Sequence, residues 1–221
     1  KKHKEIIQSN STEAHLQDAQ AELRLRGDLA CHVTVHCWPR ILELFHTALN
    51  LDTQMDGEGP IGVVSACANA CLPHLLKYPS LPHGQELFHN ISLAVQQICS
   101  SRAKQIRALA LEPLYTLHSV LIDVVKERGP LENSMEVAVV DHFYRCAMNM
   151  ATRCPYPNDY FHHLASESDQ DLEIERNDVR DLLRAVAGSG EGGSTSNTGT
   201  LEYPWEVTTR ILSKLLHTCS V

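Results

Sequence analysis

The sequence predicts an all-α fold made of antiparallel helix pairs stacked side by side. Three observations carry that expectation. The chain of 221 residues is 43% hydrophobic but only 5% aromatic, and its apolar content is mostly Leu, Ala and Val, which favours helix packing over a β-sandwich. Apolar residues recur at three- and four-residue spacing along most of the chain. The breaks between those runs are short and fall at Gly and Pro.

Taken in order, Asn10 and Glu13 suggest the cap of a helix over residues 11–26, with Gly27 as its stop. Asp28 can start the next helix, which reaches Trp38. Pro39 kinks or restarts it, and Ile41, Phe45, Ala48 and Leu49 supply the following stripe. The stretch 31–38 reads two ways. Cys31, Val33, Val35 and Cys37 alternate with His32, Thr34 and His36, which also fits a strand. Helix is preferred because both flanks are helical and no partner strand is evident.

Residues 51–60 form a loop carrying Gly57, Gly59 and Pro60, and 61–78 a helix kinked near Pro73. Two prolines mark a turn at 79–83. Leu87, Ile91, Ala94, Val95 and Ile98 define a helix ending near Ser101. Residues 103–126 hold two helical pieces meeting at Pro113, with Leu114, Leu117, Leu121 and Val124 on the inner face of the second. Gly129-Pro130 ends it. A helix over 133–153 follows, with Val139, Val140, Phe143, Ala147 and Met150 as its core side.

Beyond it, 154–167 carries Pro155, Pro157 and the pair Tyr160-Phe161. Ser168 and Asp171 then stand in capping-box spacing at the start of a charged helix over 168–187. Leu172, Val179, Leu183 and Val186 share one face, widened by Leu182. On the outer side Glu173 pairs with Arg176, and Asp181 with Arg184. Residues 188–200 are low in complexity and predict a flexible surface loop. A last helix over 203–219 turns Val207, Ile211, Leu215 and Leu216 inward.

Grouped in pairs, the helices begin near residues 11, 61, 103 and 171. Those spacings lie close to the ~40–47-residue period of HEAT and armadillo repeats, and lengthen where 154–167 intervenes. The expected architecture is a HEAT/armadillo-like right-handed superhelical solenoid. Residues 1–221 would be one segment of a longer chain, with the flexible loop at about 188–200. The competing expectation is an irregular all-helical domain.

A formal charge of −8 and the lack of a basic patch beyond Lys1 to Lys4 argue against direct nucleic-acid binding. The sequence has no signal-peptide core, and no apolar run reads as long enough to span a bilayer. The eight cysteines, at 31, 37, 67, 71, 99, 146, 154 and 219, do not follow a disulfide framework and read as reduced thiols of an intracellular protein. Two glycosylation sequons occur, at Asn10 and Asn90, the second inside an expected helix.

No nucleophile elbow, P-loop or dinucleotide fingerprint is present, so neither an enzyme nor a cofactor site is expected. His32 and His36 stand one turn apart, where two imidazoles can share a metal, but the Glu of a metalloprotease helix is missing and packing is the expected role. Cys154 has no positioned base in the sequence. The most localised charge is the acidic run around Asp169, Asp171, Glu173 and Glu175. It serves either as a solvated helix start, where carboxylates favour the dipole, or as a docking site for a basic partner.

The run Tyr160-Phe161 followed by DLEIERNDVRDLLRAV resembles a segment of the importin-beta (karyopherin) superfamily, whose transportin and exportin branches carry an acidic lead-in and then a charged R-x-x-V-R-D-type helix. The likeness is strongest over 160–186. It implies a HEAT-repeat nucleocytoplasmic transport receptor, shuttling between cytoplasm and nucleus and binding Ran-GTP, cargo proteins and phenylalanine-glycine nucleoporins. The family's Ran-binding and nucleoporin-binding residues find no counterparts here residue by residue. A generic HEAT scaffold is the alternative, and an all-helical enzyme or metal protein using His32, His36 or Cys154 is the third.

Overall fold

The computed structural model describes residues 2–50, 58–129 and 133–152, together with Asn177. Among them the chain is all-α: six helices and no strand. They are α1 (Lys2–Asn50), α2 (Glu58–Lys77), α3 (Gly84–Cys99), α4 (Lys104–Ala108), α5 (Leu111–Arg128) and α6 (Asn133–Ala151).

The first difference from expectation is α1, a single helix of 49 residues that runs through both Gly27 and Pro39. Its burial pattern settles the reading of 31–38. Cys31, Thr34, Trp38, Phe45 and Ala48 are buried while His32, Val33, His36 and Cys37 are exposed. That is a three-to-four-residue period, so the stretch is helical and the alternation was incidental. Pro39 costs the helix its bond to the carbonyl of Val35, on an exposed position.

The helix α2 is buried on most of its circumference. Cys71, Leu72, Pro73, His74, Leu75 and Leu76 are consecutive and all buried, because α2 packs against α1, α3 and α5. The expected turn follows, with His83 in a left-handed conformation (φ 59°) immediately before α3. The whole expected stripe of α3 is buried, from Leu87 to Ile98.

The break between α4 and α5 falls at Leu109 and Ala110, ahead of Pro113. Pro113 is instead the third residue of α5, where the backbone N–H has no intrahelical acceptor to lose. The buried Arg107 fastens the turn into α4. Its guanidinium donates to the carbonyls of Ser101 (2.7 Å) and Arg102 (2.8 Å). Gly129 (φ 84°) ends α5, in a region of backbone space that other residues rarely adopt. The five core positions expected in α6 are all buried, and His142 joins them at 1% exposure.

Polar contacts fix the senses of the helices. Between α1 and α2, Asp28 meets His74 and Thr34 meets Cys71, so this pair is antiparallel. Between α2 and α5, Ser65 bonds the carbonyl of Leu109, Asn69 bonds Glu112, and Arg128 bonds the carbonyl of Lys77. These pairs rise together, so α2 and α5 are parallel. The same holds for α3 and α6, where Phe88 faces His142 and Asn149 bonds the carbonyl of Gln96.

Two segments, Gly59–Lys77 and Lys104–Arg128, reach the length and apolar content of a membrane span, against the expectation that none would. In the most apolar 18-residue stretch of each, 50% and 44% of the residues are buried, and a turn divides the second segment. On α2, Asn69 bonds α5, His74 bonds α1, and Ser65 bonds the turn at Leu109.

Candidate functional site: a charged groove at the α1–α2–α5 junction

Gly27 lets α1 approach α2 so closely that the His74 ring fills the space a side chain would take. A Cβ on Gly27 would lie 2.1 Å from His74 Nδ1. The His74 ring, 8% exposed, holds Asp28 Oδ1 through Nε2 at 2.9 Å and lies 4.8 Å from the ring of Tyr78.

Tyr78 lines a groove of about 570 Å³. The guanidinium of Arg24 stands over its ring at 4.8 Å and that of Arg128 at 5.9 Å. Arg128 also bonds the carbonyl of Lys77 at 2.6 Å, which joins the C-terminal ends of α2 and α5. Arg26 and Lys77 line the same groove. The carboxylates nearby are largely engaged: Glu22 holds Arg26, and Asp28 holds His74 and lies 4.0 Å from Arg24. The groove thus sets the cationic heads of Arg24, Arg26, Lys77 and Arg128 beside an aromatic ring, with Glu127 on the same lining, on a chain of net charge −8. Such a groove can pair with carboxylates of a protein segment and stack on its flat groups.

A second cavity of about 270 Å³ lies between α3 and α6, lined by Phe88, Ser92, Met135, His142 and the ion pair of Asp141 with Arg145. His142 Nε2 and Ser92 Oγ are buried without hydrogen-bond partners. Burial pulls the His142 pKa down to about 4, so this imidazole is neutral.

The acidic candidates Asp169, Asp171, Glu173 and Glu175 lie outside the described residues, as do Cys154, the helix of 168–187 apart from Asn177, and the loop of 188–200. His32 and His36 do come together, with ring centroids 4.4 Å apart, on the exposed side of α1. Among the described residues no three His, Cys, Asp or Glu side chains gather to hold a metal ion. The groove went unnoticed in the sequence. Its one local signal was a glycine inside an otherwise helical charged run, which here marks a close helix approach.

No protein-family model, no curated protein and no solved structure matches this chain.

Proposed function

We propose that this chain is a protein-binding segment of a HEAT-like helical solenoid. The observation that carries the reading is the alternation of helix sense. Successive helices α1 and α2 are antiparallel, while α2 runs parallel to α5 and α3 parallel to α6. An up-and-down bundle puts antiparallel neighbours in contact. Stacked helix pairs put like helices of successive repeats side by side and parallel. The residue offsets across these contacts are 43, 44 and 51 from α2 to α5 and 53 from α3 to α6, so the shorter ones fall within the ~40–47-residue HEAT period and the longer ones exceed it.

Within that class we favour a karyopherin-type transport receptor acting by reversible binding. Its partners would be Ran-GTP, cargo proteins and phenylalanine-glycine nucleoporins, and its place would be the cytoplasm and nucleus. Support comes from the helical-repeat geometry, the net charge of −8 and the resemblance over 160–186. The test is retention of Ran loaded with GTP or GDP on the immobilised full chain. Retention that depends on GTP supports the receptor reading. Equal retention of both forms, or none, leaves a HEAT scaffold for other proteins.

A further inference from the structure

We propose that the outer face of α1 is a self-association surface, on which a second copy of this chain lays its own α1 antiparallel. Leu25, Leu29 and Val33 follow one another at four-residue spacing and are 68%, 60% and 49% exposed. That spacing puts them in one ridge of the helix surface. They point away from α2, since Cys31, Thr34 and Trp38 hold the buried side of the same stretch. A single exposed leucine is ordinary on a protein surface, but three such residues in one ridge form a continuous apolar strip.

The helix also reaches beyond the fold that supports it. Antiparallel to α1, α2 ends at Lys77, and the next residue, Tyr78, already lies beneath Arg24. Every residue over 17–26 is exposed. A helix draws most of its stability from packing an apolar face on a neighbour. A second α1 laid along this stretch supplies that neighbour and covers the strips of both copies at once.

Charge selects the occupant and its direction. A two-fold axis through Leu29 sets each residue against the one equally far beyond position 29 in the partner. Leu29 then meets the partner's Leu29, and Leu25 meets the partner's Val33. Arg40 meets the partner's Asp18, and Glu22 meets the partner's His36. Asp18, Glu22, His36 and Arg40 are all exposed on this same side of the helix. Arg26 meets the partner's His32, an uncharged ring when deprotonated. A parallel pair would set Arg40 against Arg40 and Glu22 against Glu22. An antiparallel axis one turn earlier, at Leu25, sets Glu22 against Asp28, and one turn later, at Val33, sets Arg26 against Arg40. Like charges therefore oppose each of these alternatives. The existing pairs, Glu22 with Arg26 and Arg40 with Glu43, are exposed intrahelical contacts of little energy, so they exchange across the interface at small cost.

The test follows the mass of the purified full chain by light scattering over a dilution series. The expected result is a dimer at high concentration that falls to a monomer on dilution. Leu29→Asp should hold the chain monomeric throughout, with an unchanged far-ultraviolet helical signal showing that it folds. Asp18→Arg and Arg40→Asp should each weaken the dimer about ten-fold, because the two-fold axis repeats every contact, and the two together should restore it. Under mild oxidation Leu29→Cys should link two copies at position 29, in a Cys37→Ser background that removes the exposed native thiol of this stretch. A single-chain mass at every concentration overturns the proposal and leaves the strip to a different protein. A dimer that survives Leu29→Asp, or charge reversals that fail to rescue each other, overturns it as well.

Discussion

The imidazole of His74 stands where a side chain at position 27 would be, with its Nδ1 only 2.1 Å from the site of an added Cβ. Glycine in a helix interior normally costs about 1 kcal/mol relative to alanine. Here that cost is offset by a helix approach that buries His74 and lets it hold Asp28. Gly27→Ala should therefore destabilise the fold by about 1–3 kcal/mol instead of stabilising it. Urea unfolding reads this as a lower midpoint at unchanged slope. A raised midpoint would show that α1 and α2 have room to spare.

His142 should make stability depend on pH. Its folded pKa is about 4 against an ordinary 6.5, from full burial. Between those values the unfolded chain binds a proton that the folded chain refuses. The contribution is therefore complete above pH 6.5 and is lost as pH falls toward 4. The loss amounts to about 3 kcal/mol, at ~1.4 kcal/mol for each pH unit separating the two pKa values. Unfolding curves across this range should show His142→Met with a shallower pH dependence than the unmodified protein. Equal slopes would place the acid sensitivity elsewhere.

Arg107 is a buried cation satisfied by two backbone carbonyls in the turn between α3 and α4. Arg107→Met keeps much of the side chain's length and strands both acceptors. The expected cost is about 2–3 kcal/mol, since hydrogen bonds to charged groups are the stronger kind. Hydrogen exchange should quicken first in residues 101–108. Unchanged exchange there would mean that the turn is held by other contacts.

Arg24→Glu tests the groove. The side chain is 62% exposed and stands over Tyr78, so folding should change by no more than about 1 kcal/mol. A fluorescent polyglutamate peptide should bind the unmodified chain, and the variant about ten-fold more slowly at low salt. A groove that instead prefers polylysine would be governed by Glu127 and Asp28.

Much of the fold was legible in local pattern. The stripes Leu114–Leu117–Leu121–Val124 and Val139–Val140–Phe143–Ala147–Met150 are buried as their spacing predicts, because a helix with one apolar face has one way to hide it. The helix boundaries at residues 27 and 113 were misplaced. Gly27 is a weak stop that neighbouring packing overrides, and Pro113 is harmless in a first turn.

The sequence by itself determined that these segments are helices and which face of each is apolar. Periodicity is a local property, and a helix satisfies its backbone hydrogen bonds within itself. The tertiary structure alone decided which helices meet and in which sense. It brought His74 onto Gly27, Thr34 onto Cys71, and Arg24 and Arg128 over the ring of Tyr78. Such contacts join residues as many as 54 positions apart, as between Tyr78 and Arg24. Their partners are fixed by how helix surfaces interlock, which no local spacing records.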